Sequence, residues 1–118
     1  MITEDVKRLL VIDDDPDFAD YVKRKAEGLG YEVSTLSDPN LFKGAYAEFK
    51  PDMIVLDIEG IELVQWLAEQ NCTAQILAVA GYNPYYGKIA LGLGEVWGLK
   101  VETYQKPISL AILRGALS

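Results

Sequence analysis

Three consecutive aspartates, Asp13, Asp14 and Asp15, follow the apolar run LLVI and precede Pro16. Carboxylates at that spacing repel, and each resists ionising beside its neighbours. A fourth acid, Asp57, closes the apolar run MIVLD, and Lys106 follows KVETYQ within a Lys-Pro pair. Crowded oxygen donors suit a hard divalent cation, and magnesium takes a few carboxylates while keeping several waters. Asp13, Asp14 and Asp57 are therefore the candidate metal-binding acids, and Lys106 brings a fixed positive charge to the same place. Asp15 stands apart, because an aspartate just before a proline reads as a helix N-cap that turns toward backbone N–H groups. A lone aspartate in a strand-to-helix turn needs no function. An acid pair, a third acid two elements later and a Lys-Pro after the last strand together describe a site.

The elements that must position these residues follow from apolar periodicity. RLLVI (8–12) reads as a buried strand, and Phe18, Val22, Ala26 and Leu29 recur at helical spacing until Gly28 and Gly30 end the helix. YEVSTL (31–36) is a second strand. Asp38-Pro39 repeats the cap-plus-proline start, Leu41, Phe42, Ala45 and Phe49 form the next buried face, and Pro51 stops it. MIVLD (53–57) is a third strand, and Ile61, Val64, Leu67 and Ala68 mark a third helix. QILAVA (75–80) and KVETYQ (100–105) are two more strands, flanking a glycine-containing helical segment over 85–97, and SLAILRGAL (109–117) is a closing helix. Such alternation predicts an α/β fold, a doubly wound five-stranded parallel sheet with helices on both faces and right-handed crossovers. The crevice of such a sheet lies at the carboxyl ends of its strands, where Asp13, Asp14, Asp57, Ala80, Gly81 and Lys106 all fall.

Bulk properties narrow the function. The chain has 118 residues and reads as a single domain over 1–118, with a net charge of -7 that argues against direct nucleic-acid or anionic-membrane binding. It contains no histidine, which removes zinc sites of the usual kind, Ser-His-Asp and Cys-His catalysis, and a phosphohistidine carrier role. The lone cysteine, Cys72, excludes an internal disulfide, suits a reducing compartment and reads as inert. No apolar segment spans a bilayer and the first residues carry no signal-like run, so the expected location is the cytoplasm. A flavin-binding reading fails because DDDPD would repel the flavin phosphate.

The stretches LLVIDDDPDF, PDMIVLD, GIELVQWL, ILAVAGY and QKPISL together resemble a response-regulator receiver domain of two-component signalling, over the whole chain. The resemblance implies a flavodoxin-like sheet in strand order 2-1-3-4-5. It implies that Asp57 accepts a phosphoryl group from a histidine kinase and that Asp13 and Asp14 hold magnesium, Asp14 being the closer ligand. The Glu59 backbone carbonyl is a further implied ligand. Lys106 would pair with phosphoryl oxygens, and Pro107 would follow a cis peptide bond. The receiver is then no enzyme beyond assisting its own phosphorylation and dephosphorylation. Its implied partners are a kinase, an output domain or protein docking on the face of the 85–97 helix, fifth strand and closing helix, and a second copy of the chain. The stretch LGEVWGLKVETYQKPISL is similar to receivers attached to EAL cyclic-di-GMP phosphodiesterase domains.

The chain departs from the receiver pattern in three places. Ala80 stands where the family carries a Ser or Thr hydroxyl, the loop DIEGIEL after Asp57 is short, and Thr103 occupies the usual place of the switch aromatic. Tyr104, beside it, is expected on the opposite face by strand alternation. These departures support an alternative, a degenerate pseudo-receiver acting as a phosphorylation-independent interaction or dimerisation module. Tyr82, Tyr85, Tyr86 and Trp97 crowd the region after the fourth strand and read equally as an interface or as cover for the sheet edge, whereas Trp66 reads as a packing residue.

Overall fold

The structure is a computed structural model that describes residues 6–57, 61–80 and 98–117. Strands β1 (Arg8–Ile12), β2 (Glu32–Leu36), β3 (Met53–Asp57), β4 (Gln75–Ala80) and β5 (Lys100–Gln105) form one sheet in the order β2-β1-β3-β4-β5. Every pairing is parallel. The described helices are α1 (Pro16–Gly28), α2 (Phe42–Phe49), α3 (Ile61–Glu69) and the C-terminal α4 (Leu110–Leu117). The helix predicted over 85–97, with Tyr82, Tyr85, Tyr86 and Trp97, lies outside the described residues, as does Glu59.

Alternation along the strands divides the core in two. Leu9, Val11, Val55, Leu77 and Val79 face α1 and α4, where Val22, Ala26, Leu113 and Leu117 meet them. Leu10, Ile12, Ile54, Leu56 and Ile76 face α2 and α3, where Phe42, Val64 and Leu67 meet them. Continuous apolar runs in β1, β3 and β4 are thus explained by burial on both faces. Each fully buried Val or Leu contributes about 1.5–3 kcal/mol relative to exposure.

Helix starts and stops obey local chemistry. Asp15 caps α1, its side chain accepting from the Asp17 and Phe18 N–H groups, with Pro16 at the first helical position. The helix ends in a Schellman motif: Tyr31 N–H donates to the Ala26 carbonyl and Gly30 N–H to that of Glu27. Gly30 takes the left-handed conformation this motif requires, φ 95°. At the end of α3 the same bonding recurs, with Cys72 N–H donating to Leu67 and Asn71 at φ 54°.

Two expected core positions are corrected. Leu29 is 48% exposed and Leu41 58% exposed. Leu29 is the C-cap of α1, so it leaves the helical period, and the buried stripe takes Ala19 in addition. Leu41 closes a 3-10 turn (Pro39–Leu41) begun by the Asp38 cap, and α2 starts only at Phe42, which is fully buried. The tighter three-residue period of that turn places Leu41 off the core face. Trp66 packs as expected, edge-on to Phe42 and Tyr46 with centroids 6.1 and 5.4 Å away.

Candidate functional site

The register brings the site residues to one edge of the sheet. Ile12 pairs with Leu56, so Asp13 and Asp57 leave adjacent central strands at the same level. Asp57 pairs with Val79, and Val79 with Tyr104, so Ala80 and Lys106 lie just beyond on β4 and after β5. Asp57 and Ala80 are described by their backbones alone.

The three consecutive aspartates go to three environments, which resolves their mutual repulsion. Asp13 is buried, 1% exposed, while Asp14 is exposed and Asp15 caps α1. Asp13 N–H donates to the Leu36 carbonyl at 3.0 Å, anchoring the strand end. Its Oδ1 accepts from Asp15 N–H at 2.8 Å, a local turn that fits an Asx side chain. Its Oδ2 lies 2.9 Å from Lys106 Nζ, yet outside hydrogen-bond alignment, so the contact is an ion pair rather than a directed bond. Lys106 reaches the acid from the β5–α4 turn, and its bond to Pro107 is cis, as the resemblance implied.

A buried carboxylate oxygen without an aligned donor retains capacity for a cation. With the exposed Asp14 beside it, the donor set is one of hard oxygens, which fits magnesium. Among the described residues no three acid or cysteine side chains converge on one metal position. The third acid of the predicted set is Asp57, whose side chain is not among those described, and the fourth donor, the Glu59 backbone carbonyl, lies outside the described residues.

Sequence reasoning missed the support around Lys106. Its Nζ lies over the Phe18 ring, 4.4 Å from the centroid. Tyr21, one helical turn on, donates its hydroxyl to the Ile108 carbonyl at 3.3 Å. The apolar period marks Phe18 only as a core position of α1, because it carries no information about what the β5–α4 turn lays over it.

On β5, Tyr104 faces the α1–α4 cluster and Val101 faces the α2–α3 cluster, in agreement with the expected alternation. The Tyr104 hydroxyl donates to Glu102 Oε2 at 2.6 Å. Burial, and then this hydrogen bond, push its phenol up to about 12. The Tyr46 phenol also rises to about 12, first through burial and then through its hydrogen bond with Cys72, whose thiol is buried in the α2–α3 core. A groove of about 310 Å³ lies at the opposite, amino-terminal edge of the strands, beside Lys7, Tyr31, Asp52 and Glu102. Asp52 there serves the fold, accepting from Arg8 N–H at 2.9 Å. No described helix is long and apolar enough to cross a membrane.

Residues 9–96 match the sequence profile of the response regulator receiver domain. The chain is 36% identical over 93 residues to the alkaline phosphatase synthesis transcriptional regulatory protein PhoP of Bacillus subtilis, covering 74% of this chain and 38% of that protein. It is 27% identical over 105 residues to the C4-dicarboxylate transport transcriptional regulatory protein DctD of Pseudomonas aeruginosa, covering 85% and 22%. The chain thus spans well under half of either curated relative. Among solved structures, a response regulator from Colwellia psychrerythraea superposes with TM-score 0.80 at 28% identity, over 96% of this chain and 94% of that one. The chemotaxis response regulator CheY4 of Vibrio cholerae, at 21% identity, shares the fold with TM-score 0.78 over 96% and 97%. With the profile match over most of the chain and the acids and lysine gathered at one sheet edge, the protein belongs to the response-regulator receiver family.

Proposed function

We propose that this receiver accepts a phosphoryl group on Asp57 from a histidine kinase and passes the signal to an output domain or partner. The observation that carries the reading is the buried Asp13 carboxylate paired with Lys106 at the edge where β3 delivers Asp57. Asp13, Asp14, Asp57 and the Glu59 carbonyl are the groups that would hold magnesium. When bound, the ion supplies charge neutralisation for the phosphoryl oxygens.

The chain's own residues do the rest. An Asp57 carboxylate oxygen attacks phosphorus in line. The new O–P bond forms as the P–N bond of the kinase phosphohistidine breaks, and the electron pair leaves with the imidazole nitrogen. Asp13 keeps the Lys106 ammonium at the strand edge before transfer, and Lys106 then turns it toward the phosphoryl oxygens. No side-chain base is required, since the nucleophile is already a carboxylate. The protein is on this reading not an enzyme acting on a separate substrate. Output leaves through the face that carries β5 and α4, where a partner domain or a second copy docks.

One observation favours the pseudo-receiver as a second reading: Ala80 ends β4 without a hydroxyl that could bond a phosphoryl oxygen. The two readings separate on incubating the folded protein with acetyl phosphate and magnesium and measuring intact mass. A phosphoryl adduct that vanishes in Asp57→Asn supports the acceptor. Folded protein without an adduct supports the interaction module.

A further inference from the structure

We propose that Phe18 is a positioning residue for Lys106 in phosphoryl transfer. The inference rests on the reading of Lys106 as the group that meets the phosphoryl oxygens. Lysine is a compact, strongly hydrated charge on a flexible stem, so an unsupported ammonium at a strand edge spends much of its time in water. Two of the attractions that hold it differ in kind. Asp13 Oδ2 lies 2.9 Å from Nζ, and the Phe18 ring centroid lies 4.4 Å from it.

The two contacts play different parts. The carboxylate competes with a phosphoryl group for the same ammonium, because both are anionic oxygen acceptors. The ring face attracts the cation through its quadrupole and imposes no N–H direction. When the ammonium turns toward phosphoryl oxygens, the ring still holds it in place. The platform is itself fixed: Phe18 N–H bonds the Asp15 cap at 3.4 Å, and the ring lines a small apolar void with Val22, Tyr104, Ile108 and Leu113. Tyr21 lies three residues further along α1, on the same face, and ties down Ile108 in the turn that carries Lys106. Helix α1 therefore grips that turn at two points, one beneath the charge and one beyond it.

The test uses the full chain with acetyl phosphate and excess magnesium. In Phe18→Leu the maximal rate of adduct formation should fall roughly 3- to 10-fold, with little change in the half-saturating phosphodonor concentration. Phe18→Tyr, which keeps the ring, should restore it. The Lys106 ε-methylene protons should show an upfield ring-current shift by NMR in the wild type and in Phe18→Tyr, and lose it in Phe18→Leu. A merely structural role for Phe18 would not produce that pairing of rate and shift. Should Phe18→Leu fail to fold by thermal melting, Phe18→Met carries the same comparison. Wild-type rates in the folded aliphatic variant, or no ring-current shift in the wild type, overturn the inference and leave the Asp57 reading standing. A wild-type protein that forms no adduct overturns both.

Discussion

Replacing Lys106 by methionine removes the ammonium while keeping a chain of similar length against Phe18. The Asp13 side chain is 0% exposed and that of Lys106 21% exposed. At their 2.9 Å separation the gross attraction is about 6 kcal/mol for an effective dielectric of about 20. Desolvation of both ions offsets much of this, so the intact pair contributes far less than the gross figure. Losing only one partner is different. It leaves a buried carboxylate whose Oδ2 has no aligned donor among the described residues, while Oδ1 accepts from the Asp15 N–H. Breaking a buried pair in this way costs about 3–5 kcal/mol, and because the lysine head is partly open to water we take about 3 kcal/mol. For a domain of this size that lowers Tm by about 12 °C. Urea unfolding in EDTA, with the m-value checked for constancy, measures the loss. A cycle with Asp13→Asn isolates the coupling, which should reach about 2 kcal/mol. A Lys106→Met loss below about 0.5 kcal/mol, strictly additive with Asp13→Asn, would refute the reasoning.

Other expectations follow from the same geometry. Phe42→Ala empties a fully buried site between Tyr46 and Trp66 and should cost about 3–5 kcal/mol in urea melts, Phe42→Leu distinctly less. The Tyr104 phenol, held up near 12 in the folded protein against about 10 unfolded, lends stability that is complete below pH 10 and lost as pH rises toward 12. Tyr104→Phe should flatten that alkaline decline, and a folded-state ultraviolet titration centred at 10 would contradict it. Saturating magnesium, at a hundredfold excess over its dissociation constant, should stabilise the wild type by about 2.7 kcal/mol, and Asp14→Asn should lose most of that gain in thermal melts.

The strands were legible almost to the residue. RLLVI, MIVLD, QILAVA and KVETYQ coincide with β1, β3, β4 and β5, because apolar runs bounded by turn residues leave little freedom in where a doubly buried strand begins. Asp15-Pro16 likewise fixed the start of α1 through backbone chemistry alone. Helix periodicity failed where geometry departs from 3.6 residues per turn, at the Leu29 cap and the 3-10 turn holding Leu41. The meeting of Asp13 with Lys106 was readable at the level of topology, since both end parallel strands. Burial of Asp13 beside an exposed Asp14 was not, because the division depends on the Asp13 side chain folding back on the Asp15 N–H. Phe18 shows the same limit, as its partner lies 88 residues away in the chain and joins it only through packing. The likeness to receivers of EAL proteins rests on the stretch from Leu93 to Leu110, part of which lies outside the described residues.

Chemical location of the acceptor tests the central claim most directly. The protein is incubated with acetyl phosphate and magnesium, any acyl phosphate is reduced with borohydride, and the modified aspartate is mapped by peptide mass spectrometry. The account predicts homoserine at position 57 alone, and none when magnesium is chelated. Reduction at Asp13 or Asp14, or an unmodified Asp57 in folded, metal-supplied protein, would contradict it.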